Sequence, residues 1–123
     1  MVVLMPMLTR RSFMFVLGGG LVPQPPARRV IRIAAERFTF TPSQVVVSVG
    51  EDVEFHLTSD DTAHGFRIVG AGVNVTIPKR GRKALVVPFQ ATEAGRYTFE
   101  CSRMCGAGHT FMRGVLIVRE RSK

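Results

Sequence analysis

Val53-Glu54-Phe55-His56-Leu57-Thr58 sets three apolar side chains in alternation with three polar ones. Successive side chains of a strand point to opposite faces, so this period of two predicts a strand with one face in a core and the other in water. Outward from it, short runs of the same kind recur. Residues 30–33, 44–49, 66–69, 73–77, 83–87, 95–101 and 112–119 are rich in Val, Ile, Leu, Phe and Thr and are separated by Gly, Pro and Asp. That composition and punctuation predict strands and turns. The run 44–49 alternates imperfectly, as a strand buried on much of both faces would. Gly50-Glu51-Asp52 reads as a hairpin turn, Phe38-Thr39-Phe40-Thr41-Pro42 turns the chain, and Lys79-Arg80-Gly81-Arg82 joins 73–77 to 83–87. No helical period competes. The expectation is an all-β protein, a two-sheet antiparallel sandwich.

With 123 residues, 46% of them hydrophobic and 21% charged, the chain suits one globular domain and excludes a disordered one. Seventeen Lys and Arg against nine Asp and Glu give a formal net charge of +8. A basic balance points to nucleic acid, an anionic membrane surface or an acidic protein. No stretch interleaves basic and aromatic residues as a single-strand binder does, so nucleic acid is set aside.

Residues 1–27 read as an export segment and 28–123 as the folded domain. Thr9-Arg10-Arg11-Ser12-Phe13-Met14 resembles the twin-arginine signal, and the apolar run 13–22 that follows is closed by Pro23. A run of this length suits a signal peptide and is too short to span a bilayer, so no transmembrane span is expected. Pro25-Pro26-Ala27 matches a cleavage site poorly, which leaves general secretion and an uncleaved N-terminus as alternatives. The expected location is the periplasm or the outer face of the cytoplasmic membrane.

The chemistry is concentrated in Cys101-Ser102-Arg103-Met104-Cys105-Gly106-Ala107-Gly108-His109-Thr110-Phe111-Met112, between the last two predicted strands. Two thiols, an imidazole and a thioether fall within a dozen residues, and His64 offers a second imidazole. Soft thiolates with imidazoles select copper or zinc over hard cations, and a thioether favours copper. Three other readings stay open: a Cys101–Cys105 disulfide, a zinc site, and a one-thiolate blue-copper site. His56 reads as an exposed strand residue without a role. Met104 reads as packing around the metal, and Phe66 with Phe111 as an apolar wall that keeps water from it.

Cys-Ser-x-x-Cys-Gly-x-x-His-x-x-Met, with His64-Gly65-Phe66 after a Ser-Asp turn, resembles the binuclear copper (CuA) domain of cytochrome c oxidase subunit II and the C-terminal domain of nitrous-oxide reductase. The resemblance runs from Phe38 to Val118. It implies a cupredoxin-like Greek-key sandwich and a centre of two copper ions bridged by Cys101 and Cys105. It further implies that His64 and His109 each bind one copper, that Met112 is a weak ligand to one, and that the backbone carbonyl of Arg103 binds the other. Two coppers sharing two thiolates spread one electron over four heavy atoms, so bond lengths change little on oxidation and the barrier to transfer is low. The implied role is an electron carrier, not an enzyme on its own. The partner is a redox protein, with an acidic face if charge decides, or the catalytic subunit I of a haem-copper oxidase. A copper-delivery module is a third reading. The chain departs from the oxidase pattern in carrying Arg103 where Glu is usual, in having no Trp, and in being basic where the docking face for cytochrome c is acidic.

Overall fold

The computed structural model describes residues 28–121, and the expected export segment lies outside them. The described residues form nine strands: β1 (Arg29–Glu36), β2 (Thr39–Thr41), β3 (Gln44–Ser48), β4 (Val53–Ser59), β5 (His64–Ile68), β6 (Val73–Ile77), β7 (Leu85–Phe89), β8 (Gly95–Glu100) and β9 (Arg113–Arg119). One 3₁₀ turn, His109–Phe111, precedes β9. Two sheets result, of order β2-β1-β4-β7 and β3-β9-β8-β5-β6. β4 buries Val53, Phe55 and Leu57 and leaves Glu54, His56 and Thr58 half-exposed, as its alternation predicts. His56 sits on that outer face and bonds Glu54 at 3.1 Å.

The sandwich is not wholly antiparallel. β1 runs parallel to β4, and β3 runs parallel to β9. Gly50-Glu51-Asp52 is no hairpin: it carries the chain from β3 in one sheet to β4 in the other, so β4 pairs with β1 and β7 and not with β3. Gly50 takes φ +78° there, and Glu51 N–H bonds the Ser48 carbonyl at 3.1 Å. Val45 and Val47 of β3 and Val53 and Phe55 of β4 enter one core from the two different sheets. β3 is an edge strand buried on one face only, with Gln44 exposed and Val46 half-buried, and the expectation of two buried faces fails.

Between the sheets Phe40, Phe55, Phe66 and Phe99 form one aromatic cluster, with ring centroids 5.3 to 5.8 Å apart in edge and tilted contacts. Each buried Phe contributes about 1.5–3 kcal/mol of transfer free energy, so this cluster is a main anchor of the sandwich. The ends of β1, β4 and β6 and the starts of β5, β7 and β9 gather at one pole, and the chain enters at Arg29 and leaves at Arg119 at the other. No helix among the described residues is long and apolar enough to cross a membrane.

Candidate metal centre

The link from β4 to β5 is knotted by its own short polar side chains. Ser59 Oγ donates to the Thr62 carbonyl at 2.5 Å and accepts from the Asp61 amide at 3.1 Å, while the Thr62 amide reaches Asp61 Oδ1 at 2.7 Å. Such local side-chain bonds replace a regular turn. The knot presents Asp61 to His64 three residues on, with Nε2 2.7 Å from Oδ1, and the Arg37 amide donates to the other carboxylate oxygen at 2.9 Å. Burial pushes the Asp61 carboxyl up, but the Arg37 amide, the His64 ring and the Thr62 amide outweigh it and bring it down to about 2. An ionised carboxylate only accepts, so His64 donates from Nε2–H, and Nδ1 is the ring nitrogen left to bind a metal. The His64 side chain is fully buried, and Nδ1 has no hydrogen-bond partner.

The second half of the site is the loop from β8 to β9. It is closed at its neck by Cys101 N–H on the Met112 carbonyl at 3.1 Å, and the 3₁₀ turn is held by Phe111 N–H on the Gly108 carbonyl at 3.0 Å. Phe38 packs into the loop where a Cβ on Gly108 would come within 2.5 Å of its ring. Arg37 reaches in beside it and donates Nε–H to the Cys105 carbonyl at 2.7 Å. β5 closes on the loop from the other side: a Cβ on Gly65 would lie 2.6 Å from the backbone nitrogens of Ser102 and Arg103. Glycine is needed at 65 for close approach of two backbones.

All six predicted ligand groups lie at or beside the two thiols. Cys101 and Cys105 are buried free thiols with sulfurs 3.5 Å apart. The ligand atoms of His64, Cys101 and Cys105 lie within 4.8 Å of one another. Cys105 Sγ is 3.9 Å from His109 Nδ1 and 3.9 Å from the sulfur of the fully buried Met112, and Cys101 Sγ lies 3.0 Å from the Arg103 carbonyl. Burial foremost, then its bond to Cys101, pushes the Cys105 thiol up to about 11, so the protein alone keeps it protonated. A metal must displace that proton to bind. An unpartnered buried nitrogen on the ring beside two soft sulfurs is costly without a ligand. This donor set fits copper.

Two expected neighbours are elsewhere. Met104 is 76% exposed and Phe111 81% exposed, so neither packs around the sulfurs. Their chain neighbours Cys105 and Met112 are the side chains buried at these points, and Met104 and Phe111 lie on the outer side of the loop. Phe66 is buried behind the site as expected. Sequence reasoning missed Asp61 and Arg37. An Asp three residues before a candidate ligand in a Ser-Asp turn is a readable signal for the first, whereas Arg37 lies 68 residues from Cys105 and carries none.

A family description, the cupredoxin-like domain, matches residues 11–118. Cytochrome c oxidase subunit 2 from Thermus thermophilus is 29% identical over 100 residues, 81% of this chain and 73% of that one. A chain of a heme-copper terminal oxidase dimer superposes with a TM-score of 0.65 at 26% identity, covering 74% of this chain. This chain spans 65% of the length of that one. The periplasmic domain of subunit II of cytochrome oxidase from Bradyrhizobium japonicum shares the fold, with a TM-score of 0.68 at 22% identity over 78% of this chain and 87% of that one.

Proposed function

The chain belongs to the family of cupredoxin-like domains, and on that premise we propose that it is an exported electron-transfer protein holding a pair of copper ions. It is homologous to subunit 2 of cytochrome c oxidase. The observation that carries the reading is the meeting of two buried free thiols with the unpartnered Nδ1 of His64. Cys101 and Cys105 would be the thiolate ligands shared by the copper, His64 and His109 its imidazole ligands, Met112 a weak thioether ligand and the Arg103 carbonyl an oxygen ligand. Copper in this set supplies one-electron chemistry.

The rest belongs to the chain. Asp61 fixes the tautomer of His64, so its lone pair is presented before any metal arrives. Arg37 holds the Cys105 backbone, and Gly65 lets β5 press the Cys101 segment against His64. Rigid donors leave the site little room to relax when its charge changes, which favours fast exchange in both directions. Exposed Met104 and Phe111, each next to a ligand, offer apolar contact to a redox protein docking on this pole. The basic balance favours an acidic face on that partner.

Metal analysis of the purified protein with electron paramagnetic resonance tests the proposal. Two coppers per chain with one electron shared between two copper nuclei are expected. A single copper, or zinc alone, overturns it. A second reading is a component of a haem-copper oxidase that docks on its subunit I, favoured by the likeness to oxidase chains. Co-purification with a haem-containing membrane protein separates it from a free carrier.

A further inference from the structure

The link from β6 to β7 carries Lys79, Arg80, Arg82 and Lys83 within five residues, all exposed. None has a carboxylate partner among the described residues, where the ion pairs engage Arg28, Arg29, His56, His64 and Arg67 instead. The two arginines that open the described chain, at the far pole, are neutralised by Glu54 and Glu51, whereas Arg96, Arg119 and Arg121 toward that pole are without a carboxylate partner among the described residues, as these four are. The link is tied to the metal pole. Ile77 is the cross-strand partner of His64, so Lys79 follows it by two residues, roughly 7 Å of chain. The Arg80 amide bonds the Asp61 carbonyl at 3.0 Å, and Arg82 N–H closes the turn on the Lys79 carbonyl at 3.3 Å. The nearby acids, Asp60 and Asp61, pair with none of the four.

We propose that this link is the steering rim of the docking surface, and that it recognises the acidic face of a redox protein. The proposal deepens the electron-transfer reading and rests on it for the partner's role. Four uncompensated cations bound to the backbone that carries His64 project a positive field at the end of the molecule where electrons leave. The field reaches roughly a Debye length, about 8 Å at physiological salt, so it acts on a partner about to dock on this pole. An acidic protein is favoured over an anionic membrane because the link contains no large apolar side chain to insert beside its charges.

The test is the triple variant Lys79→Gln, Arg82→Gln, Lys83→Gln, which removes three exposed charges and leaves the Arg80 anchor. The wild type and variant, each with the metal it carries as purified, are titrated with an acidic c-type cytochrome by calorimetry at low and high salt. In parallel, both are sedimented with phosphatidylglycerol vesicles. The variant is expected to bind the cytochrome about tenfold more weakly at low salt, with the difference lost at high salt. Equal affinity of the two proteins overturns the proposal. So does loop-dependent binding to vesicles without binding to the cytochrome, which assigns the link to a membrane surface. Loop-dependent binding in a protein that shows no two-copper signal leaves this surface standing and removes the binuclear reading.

Discussion

Gly65→Ala isolates the close approach on which the site depends. The φ of Gly65 lies outside the left-handed region, so alanine fits the backbone and only space is at issue. A Cβ there would meet Ser102 Oγ at 2.3 Å and the backbone nitrogens of Ser102 and Arg103 at 2.6 Å. The hydroxyl can swing away at the loss of its 2.8 Å bond to Asn74. The backbone cannot. Ordinary contact begins near 3.4 Å against the present 2.6 Å, so the Cys101 segment must retreat by about 0.8 Å. Overpacking of this kind costs about 1–3 kcal/mol, and about 4–8 °C of Tm per kcal/mol is expected for a domain of this size. The same retreat separates Cys101 from His64, so copper is bound more weakly. Thermal unfolding of the metal-free protein and competition for copper with a chelator measure the two effects. Gly72→Ala is the control: at φ +74° with nothing within 4 Å of its Cβ, it loses about 1 kcal/mol to backbone strain and leaves copper retention unchanged. Wild-type Tm and wild-type copper retention in Gly65→Ala would refute the argument.

Cys101→Ser or Cys105→Ser is expected to abolish the two-copper signal, while Met112→Leu, a swap of similar volume costing under about 1.5 kcal/mol, keeps two coppers and shifts the potential; metal analysis and voltammetry decide. Arg37→Met removes the bond to the Cys105 carbonyl and is expected to speed copper loss to a chelator several-fold with the spectrum little changed. Arg103→Glu leaves the copper spectrum intact because a backbone carbonyl is the expected ligand. It slows exchange with an acidic partner and quickens it with a basic cytochrome c, as stopped-flow rates against ionic strength would show. Arg10→Lys with Arg11→Lys is expected to hold the protein in the cytoplasm, and normal export of that variant would point to the general secretory route.

The strands and the ligand types were legible in the chain itself. Alternation from Val53 to Thr58 marks β4 because burial on one face leaves a period of two that no later folding event alters. Thiols, imidazoles and a thioether at Cys101, Cys105, His109 and Met112 announce a soft metal through chemistry that belongs to the side chains. Pairing was not legible in the same way. Whether Gly50-Glu51-Asp52 makes a hairpin or a crossing depends on where Val45 and Phe55 find a common core, a contact between sheets that local propensity does not encode.

The direction of Met104 and Phe111, outward, followed from which loop side chains the ligands displaced. The tautomer of His64 depends on Asp61 being held as a carboxylate by the Arg37 amide, a bond across 24 residues. The bond from the Arg37 side chain to Cys105 spans 68. Sequence by itself determined the elements and the donors, because periodicity and ligand chemistry are local properties. Only the tertiary structure decided which strands pair, the buried His64 nitrogen left without a partner beside the thiols and the cationic link set at the metal pole, because each arises from groups far apart in the chain meeting in the folded sandwich.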